Sequence, residues 1–140
     1  MQQEQNTSAF DFPIRVYYED TDAGGIVFYA NYLKFFERAR TEWLRALGVE
    51  QDVWLNQDIA FVVRHVEMNN RSAAVFNDLL NVKSRITELK KASMVFSQEL
   101  FDSQGKLLVD AKVKVACVRL SSMKPSAIPD EILGVLSRVR

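Results

Sequence analysis

The chain has 140 residues, 18 Lys+Arg against 18 Asp+Glu, 48% hydrophobic residues, one cysteine (Cys117) and one histidine (His65). One cysteine forms no internal disulfide, and zinc fingers, Cys-x-x-Cys redox sites and His-rich zinc cages lack their ligands. Balanced charge argues against an electrostatic grip on nucleic acid, and no run approaches the roughly 18 apolar residues of a membrane span.

Residues 1–9 are polar and are read as a flexible N-terminal arm without the marks of a secretory signal. Residues 10–140 are read as a single domain. FDFPIRVYY, residues 10–18, is aromatic and β-branched, and period two puts Ile14, Val16 and Tyr18 on one side of a first strand. EDTDAGG then gathers three carboxylates and two glycines in a turn. In the next segment Tyr32, Phe36, Ala39, Trp43 and Leu47 recur at helical spacing, which predicts one long helix with Asn31 as N-cap and Gly48 at C′.

Four β-forming runs follow: AFVVRHVEM, LLNVKSRITEL, SMVFSQELF and LLVDAKVKVACVRL. The last alternates Leu107, Val109, Ala111, Val113, Val115 and Cys117 against Asp110, Lys112 and Lys114. DSQGK reads as a hairpin turn at Gly105, and Pro129 opens a short amphipathic closing helix. Consecutive strands after one helix favour an α+β fold, an antiparallel sheet wrapped on a central helix.

The candidate chemistry lies in the turn. Asp20, Asp22 and Gly25 imitate the start of a calcium loop, but Asn31 stands where a bidentate Glu is required. The turn instead leads into a helix N-terminus, whose open N–H groups and partial positive charge suit a developing oxyanion. A carboxylate beside it can attack a carbonyl or activate a water that does. Gly24 and Gly25 allow close approach of a substrate. On the residues alone Asp and Gly are also ordinary turn formers, and Asn31 and Tyr32 read equally as cap and core aromatic.

The string VYYEDTDAGGIVFYANYLKFFERARTEWLRALG resembles the signature of the 4-hydroxybenzoyl-CoA thioesterase family of hotdog-fold enzymes, in particular its YbgC-like acyl-CoA thioesterases associated with the Tol–Pal system. AFVVR, FNDLL and VACVRLSSMKPSAIPDEI extend the resemblance over residues 10 to 136. It implies a hotdog fold, a five-stranded antiparallel sheet around one long helix, and hydrolysis of an acyl-CoA thioester to a carboxylic acid and CoA without metal or other cofactor. Asp22 matches the catalytic carboxylate, as nucleophile or general base, and the backbone N–H of Tyr29 matches the group that polarises the carbonyl. Many relatives carry His at that position. Asp20 is assigned to holding the turn, and Glu37, on the helix, is the fallback catalytic acid.

The family often has Pro near Ala73 and paired acids at Asn77 and Asp78. Lys90, Lys91 and Ser93 match a region that contacts the CoA nucleotide, with Arg64 and Arg71 as alternatives. The resemblance also implies a homo-oligomer, a dimer or dimer of dimers with active sites between protomers, with acyl-carrier protein as a further candidate partner; the lone cysteine and the lack of a signal or span predict a cytoplasmic location, and a peripheral contact with the inner membrane would need no hydrophobic span. A non-catalytic acyl-CoA or acyl-carrier-protein binding module is the alternative. His65, sharing a strand face with Phe61 and Val63, is expected to be structural, and Cys117 to be core. Phe28, Phe35, Phe61 and Phe96 are candidates for an acyl pocket.

Overall fold

In the computed structural model residues 9–140 are described, so the expected arm lies outside them apart from Ala9. β1 (Phe10–Arg15) is followed by a 3-10 turn (Tyr18–Asp20), α1 (Asn31–Ala46) and α2 (Gln51–Leu55). Next come β2 (Ile59–Asn70), β3 (Leu79–Leu89), β4 (Ser93–Phe101), β5 (Leu107–Arg119), β6 (Lys124–Pro125) and α3 (Asp130–Val139). The strands form one antiparallel sheet in the order β1-β3-β4-β5-β2, with β6 added on β5. The expected five strands therefore become six. β6 spans two residues and pairs beyond the end of β4, too short for its own hydrophobic pattern.

α1 lies on the concave face of this sheet, the hotdog arrangement. It buries Tyr32, Phe35, Phe36, Ala39, Trp43 and Leu44, while Leu80 and Val82 of β3, Met94 and Phe96 of β4 and Val113 of β5 meet them from below. Phe36 is fully buried, so its replacement by Ala would cost roughly 3–5 kcal/mol. One polar group interrupts this core: Gln98 donates to the Phe36 carbonyl at 3.0 Å and to Ser84 Oγ at 2.9 Å, and accepts from Arg40 at 2.9 Å.

The helix ends as its sequence demands at one terminus only. Gly48, at φ +89°, is the C′ residue, with Gly48 N–H on the Arg45 carbonyl and Val49 N–H on that of Leu44, the Schellman arrangement. At the other end Ala30, not Asn31, is the N-cap, and no side chain caps it. Asn31 is the first helical residue, and its Nδ2 donates to the Asp20 carbonyl at 2.9 Å. Its side chain thus ties the helix to the preceding turn, leaving the helix end open.

Two strand readings also change. β1 stops at Arg15, so Tyr18 leaves the face of Ile14 and Val16 and is 80% exposed. In β2 the register shifts between Val63 and His65: Val63 faces inward-pointing Val115, but His65 opposes outward-pointing Lys114. The bulge moves His65 off the face of Phe61 and Val63 and into solvent, 3.3 Å from Glu67. Cys117 is fully buried on the core face, where burial pushes its thiol pKa up.

Candidate active site

The acidic turn is a small hairpin. Thr21 bridges Val27, the Asp22 N–H donates to the Ile26 carbonyl at 2.9 Å, and the Phe28 N–H donates to that of Asp20 at 3.0 Å. Its tip closes with the Gly25 N–H on the Asp22 carbonyl at 3.0 Å, and Gly25 takes φ +81°, where a side chain would be strained. The segment before β3 adds a third strand to this hairpin. Val27 donates to the Ala74 carbonyl at 2.9 Å, and Ile26 bridges Val75.

The two aspartates have different surroundings. Asp20 is buried at 7% exposure, and its Oδ2 accepts the Tyr17 N–H at 2.8 Å. It is consumed in holding the turn. Asp22 is exposed, and its Oδ1 accepts the Gly24 N–H at 2.8 Å. Among the described residues its second carboxylate oxygen has no hydrogen-bond donor and remains available for chemistry. A Cβ at Gly24 would sit 3.3 Å from Oδ1 of Asp22, so glycine there leaves room for the carboxylate.

Seven residues on, the chain enters α1. The Asn31, Tyr32 and Leu33 N–H groups bond to Phe28, Tyr29 and Ala30 carbonyls, whereas those of Tyr29 and Ala30 have no partner among the described residues. These free donors, at the positive end of a 16-residue helix, form an anion-stabilising end. Beside them opens a cleft of about 270 Å³ whose lining includes Ile26, Tyr29, Tyr32, Arg71 and Ala73. Ile26 links the cleft to Asp22 through its carbonyl.

Asp20, Asp22, Gly24, Gly25, Tyr29 and Asn31 thus converge on one hairpin and helix entry. Lys90, Lys91 and Ser93 do not join them within the chain. They form the β3–β4 turn, where Lys90 pairs with Glu88 at 3.6 Å and its N–H donates to the Ser93 carbonyl. The hairpin flanks the start of the 11-residue β3, so the lysines lie roughly 30 Å along the strand from it. Arg71 is the cation at the cleft, held by Asp110 at 2.5 Å. Arg64 falls at the β2 bulge. Glu37 is exposed on α1, about 9 Å along the helix from Asn31. Of the four phenylalanines, Phe35 is core, Phe28 is 47% exposed against Tyr29, and Phe61 and Phe96 line a second cleft.

Sequence reasoning named Tyr32 at the helix entry and Asp78 among the family's acid positions, but gave neither of them the bond by which it holds the site. The Tyr32 hydroxyl accepts the Ala74 N–H at 3.1 Å, and Asp78 Oδ2 accepts the Val75 N–H at 3.0 Å. Asn77, at φ +73°, makes the intervening turn and stands where the family often has an acid. Asn tolerates that conformation better than most residues, and the Asn-Asp pair beside a strand start was the available signal.

A family model described as the thioesterase superfamily matches residues 24–109. The chain is 50% identical over 134 residues to the acyl-CoA thioesterase YbgC of Haemophilus influenzae, covering 95% of this chain and 98% of that one. Among solved structures, a probable thioesterase from Bartonella henselae superimposes with TM-score 0.80 at 38% identity, over 86% of this chain and 99% of that one. A DHNA-CoA thioesterase from Staphylococcus aureus gives TM-score 0.89 over 94% and 90% at 22% identity, a likeness of fold. The chain belongs to the thioesterase superfamily.

Proposed function

We propose that this protein hydrolyses acyl-CoA thioesters to a carboxylic acid and free CoA, with Asp22 as the reacting carboxylate. The observation that carries this reading is the free oxygen of Asp22 on a hairpin hydrogen-bonded to an uncapped helix end. The thioester carbonyl oxygen sits at that end, and the Tyr29 N–H stabilises the charge it gains in the tetrahedral state. A preorganised donor of this kind contributes about 3–4 kcal/mol to lowering a barrier. The Tyr29 side chain, 60% exposed, shapes the cleft and takes no part in proton transfer.

Two routes use the same atoms. As nucleophile, Asp22 bonds to the acyl carbon, the C–S bond breaks, CoA leaves as thiolate and takes a proton from water. A second water then cleaves the mixed anhydride and restores the carboxylate. As general base, Asp22 takes the proton of an attacking water while its oxygen bonds to the carbon, and that proton passes to the departing sulfur. Both routes require only the chain and water.

The active unit in this reading is a homodimer, paired further into a dimer of dimers. β2 supports it: its 12 residues form a sheet edge with one side unpaired among the described residues, and Val63 on it is 47% exposed. An edge of this length invites pairing with a second copy. The partner's Lys90, Lys91 and Ser93 would then supply the nucleotide rim that is remote within one chain. Monomers in light scattering at micromolar concentration would contradict this assembly. The curated relative's name supports acyl-CoA as substrate. Among the described residues no helix is long and apolar enough to cross a membrane, and the reading puts the protein in the cytoplasm, with contact to the inner membrane peripheral.

The direct test is incubation with acyl-CoA esters of short, long and aromatic acyl groups, following thiol release and the acid formed. One thiol per carboxylate for at least one ester is expected. Tight CoA ester binding with no thiol release across the panel would overturn the assignment.

A further inference from the structure

The cleft beside Tyr29 is lined from one side: all of its walls come from the hairpin, the helix entry and residues 70–73. Its lip is apolar and exposed, with Ile26 and Tyr29 flanked by Val75 and Phe76. A second exposed apolar group stands at the opposite end of β2. It consists of Val53 and Leu55 on α2 and of Leu120 and Met123 just after β5. The two groups are separated by the length of the strand from Ile59 to Asn70, roughly 36 Å.

Hydrogen bonds make this second group one unit. The Asp58 N–H donates to the Leu55 carbonyl and the Leu120 N–H to that of Asp58, both at 3.0 Å. The Asp58 carboxylate accepts the Ser121 N–H at 2.8 Å and the Ser121 hydroxyl at 2.6 Å. Asp58 takes φ +66° and Met123 φ +57°, a region uncommon outside glycine. The turn thus holds a long apolar side chain outward, with Met123 56% exposed. Backbone strain of this kind persists where the surroundings fix it, and it gathers at ligand clamps.

Pairing of two β2 edges, the reading on which this inference rests, brings the groups together. A two-fold axis normal to the sheet sets β2 antiparallel to its copy and keeps both α1 helices on one side. The Asn70 end of one strand then lies beside the Ile59 end of the other, and the contact is reciprocal. Each cleft meets the second group of the other copy, and both apolar surfaces leave water. Ser93 pairs with Ala116 and Ile59 with Arg119, so Lys90 and Lys91 lie at that same end. We propose that the partner subunit's Leu55, Leu120 and Met123 form the far wall of the cleft beside Tyr29, so that the acyl chain is held between two chains. The unbranched, adaptable Met123 limits the length of chain that fits.

The first test needs no turnover. Full-length Ser72→Cys and Met123→Cys chains are co-expressed, treated with a short bismaleimide and analysed by mass spectrometry beside light scattering. Cys117 is fully buried and stays silent. A cross-link from position 72 of one chain to position 123 of the other is expected. Dimers lacking that cross-link would overturn the proposal and leave the pairing intact, whereas monomers would overturn both. Neither result bears on the hydrolase assignment.

The second test is rescue between chains. A chain carrying both Leu120→Glu and Met123→Glu should lose at least about tenfold in kcat/KM, because the wall then holds unpaired charge. Co-expressed with an excess of Asp22→Asn chains, its own Asp22 faces an intact wall from the other subunit, and activity per functional Asp22 should return to near wild type. Absence of rescue would put the wall within one chain and overturn the proposal, as would full activity of the double variant alone. Met123→Ala should shift the kcat/KM ratio toward longer acyl esters by about tenfold, the lower range for a methylene-sized change in a pocket. An unchanged ratio would remove Met123 from the wall.

Discussion

The Tyr32 hydroxyl accepts the Ala74 backbone N–H at 3.1 Å, and the Ala74 carbonyl in turn accepts the Val27 N–H at 2.9 Å. The first turn of α1 is thereby wired through the segment before β3 to the hairpin that carries Asp22. Tyr32 is 2% exposed and burial raises its hydroxyl pKa, so it acts as a neutral phenol. Tyr32→Phe keeps the packing but leaves a buried N–H unpaired, a loss of about 1–3 kcal/mol. Because the hairpin then loses its register to the helix, kcat should fall while KM changes little. Steady-state kinetics beside a thermal melt checks this. Unchanged kcat with a lowered Tm would make Tyr32 purely structural.

The two glycines of the turn should fail in different ways. At Gly24 a methyl group would press on Oδ1 of Asp22 at 3.3 Å. Gly24→Ala should therefore cost roughly ten- to a hundredfold in kcat, as small misplacements of reacting groups do, with little loss of Tm. At Gly25 a Cβ would meet nothing within 4 Å, but φ is +81°. Gly25→Ala should cost about 1 kcal/mol of stability through backbone strain. Kinetics and melts on the pair would show the split, and equal effects on both quantities in both variants would contradict it.

Acid should weaken the fold through two surface carboxylates. Asp58 accepts from Ser121 Oγ at 2.6 Å and Ser121 N at 2.8 Å, and Asp11 accepts from Lys83 at 2.8 Å and Asn81 at 3.0 Å. These bonds hold both carboxyls below their ordinary 3.8. The folded state then binds protons less readily than the unfolded chain, so the stabilisation is present above about pH 4 and is lost as pH falls through the depressed values. Tm should be level from about pH 7 to 5 and decline below 4. Asp58→Asn should lower Tm at neutral pH and converge on wild type near pH 3; a Tm gap that persisted there would remove this account.

Much of the fold was legible because burial is written at fixed periods. β3 and β4 coincide with their β-forming runs, and the stripe Tyr32, Phe36, Ala39 and Trp43 is the buried face of α1. Readings failed where one local event overrides a period. A bulge flips His65 to the opposite face, and Tyr18 leaves the strand as the chain turns. Asn31 spends its amide on Asp20 instead of capping the helix. β6 and α2 span two and five residues, too few to show a period. Within the site, Asp22 and its glycines were legible because their chemistry and turn geometry coincide. The Tyr32–Ala74 link was not, since it joins residues 42 positions apart through one hydroxyl.

The central claim rests on one carboxylate. Asp22→Asn preserves the shape of the turn and the side-chain acceptor for the Gly24 N–H while removing the charge, so stability should be unchanged. Measured by thiol release on the best ester of the panel, the variant should lose at least about a hundredfold in kcat, the lower range for a removed general base or nucleophile. A folded Asp22→Asn protein that hydrolysed the ester at near wild-type kcat would contradict the assignment.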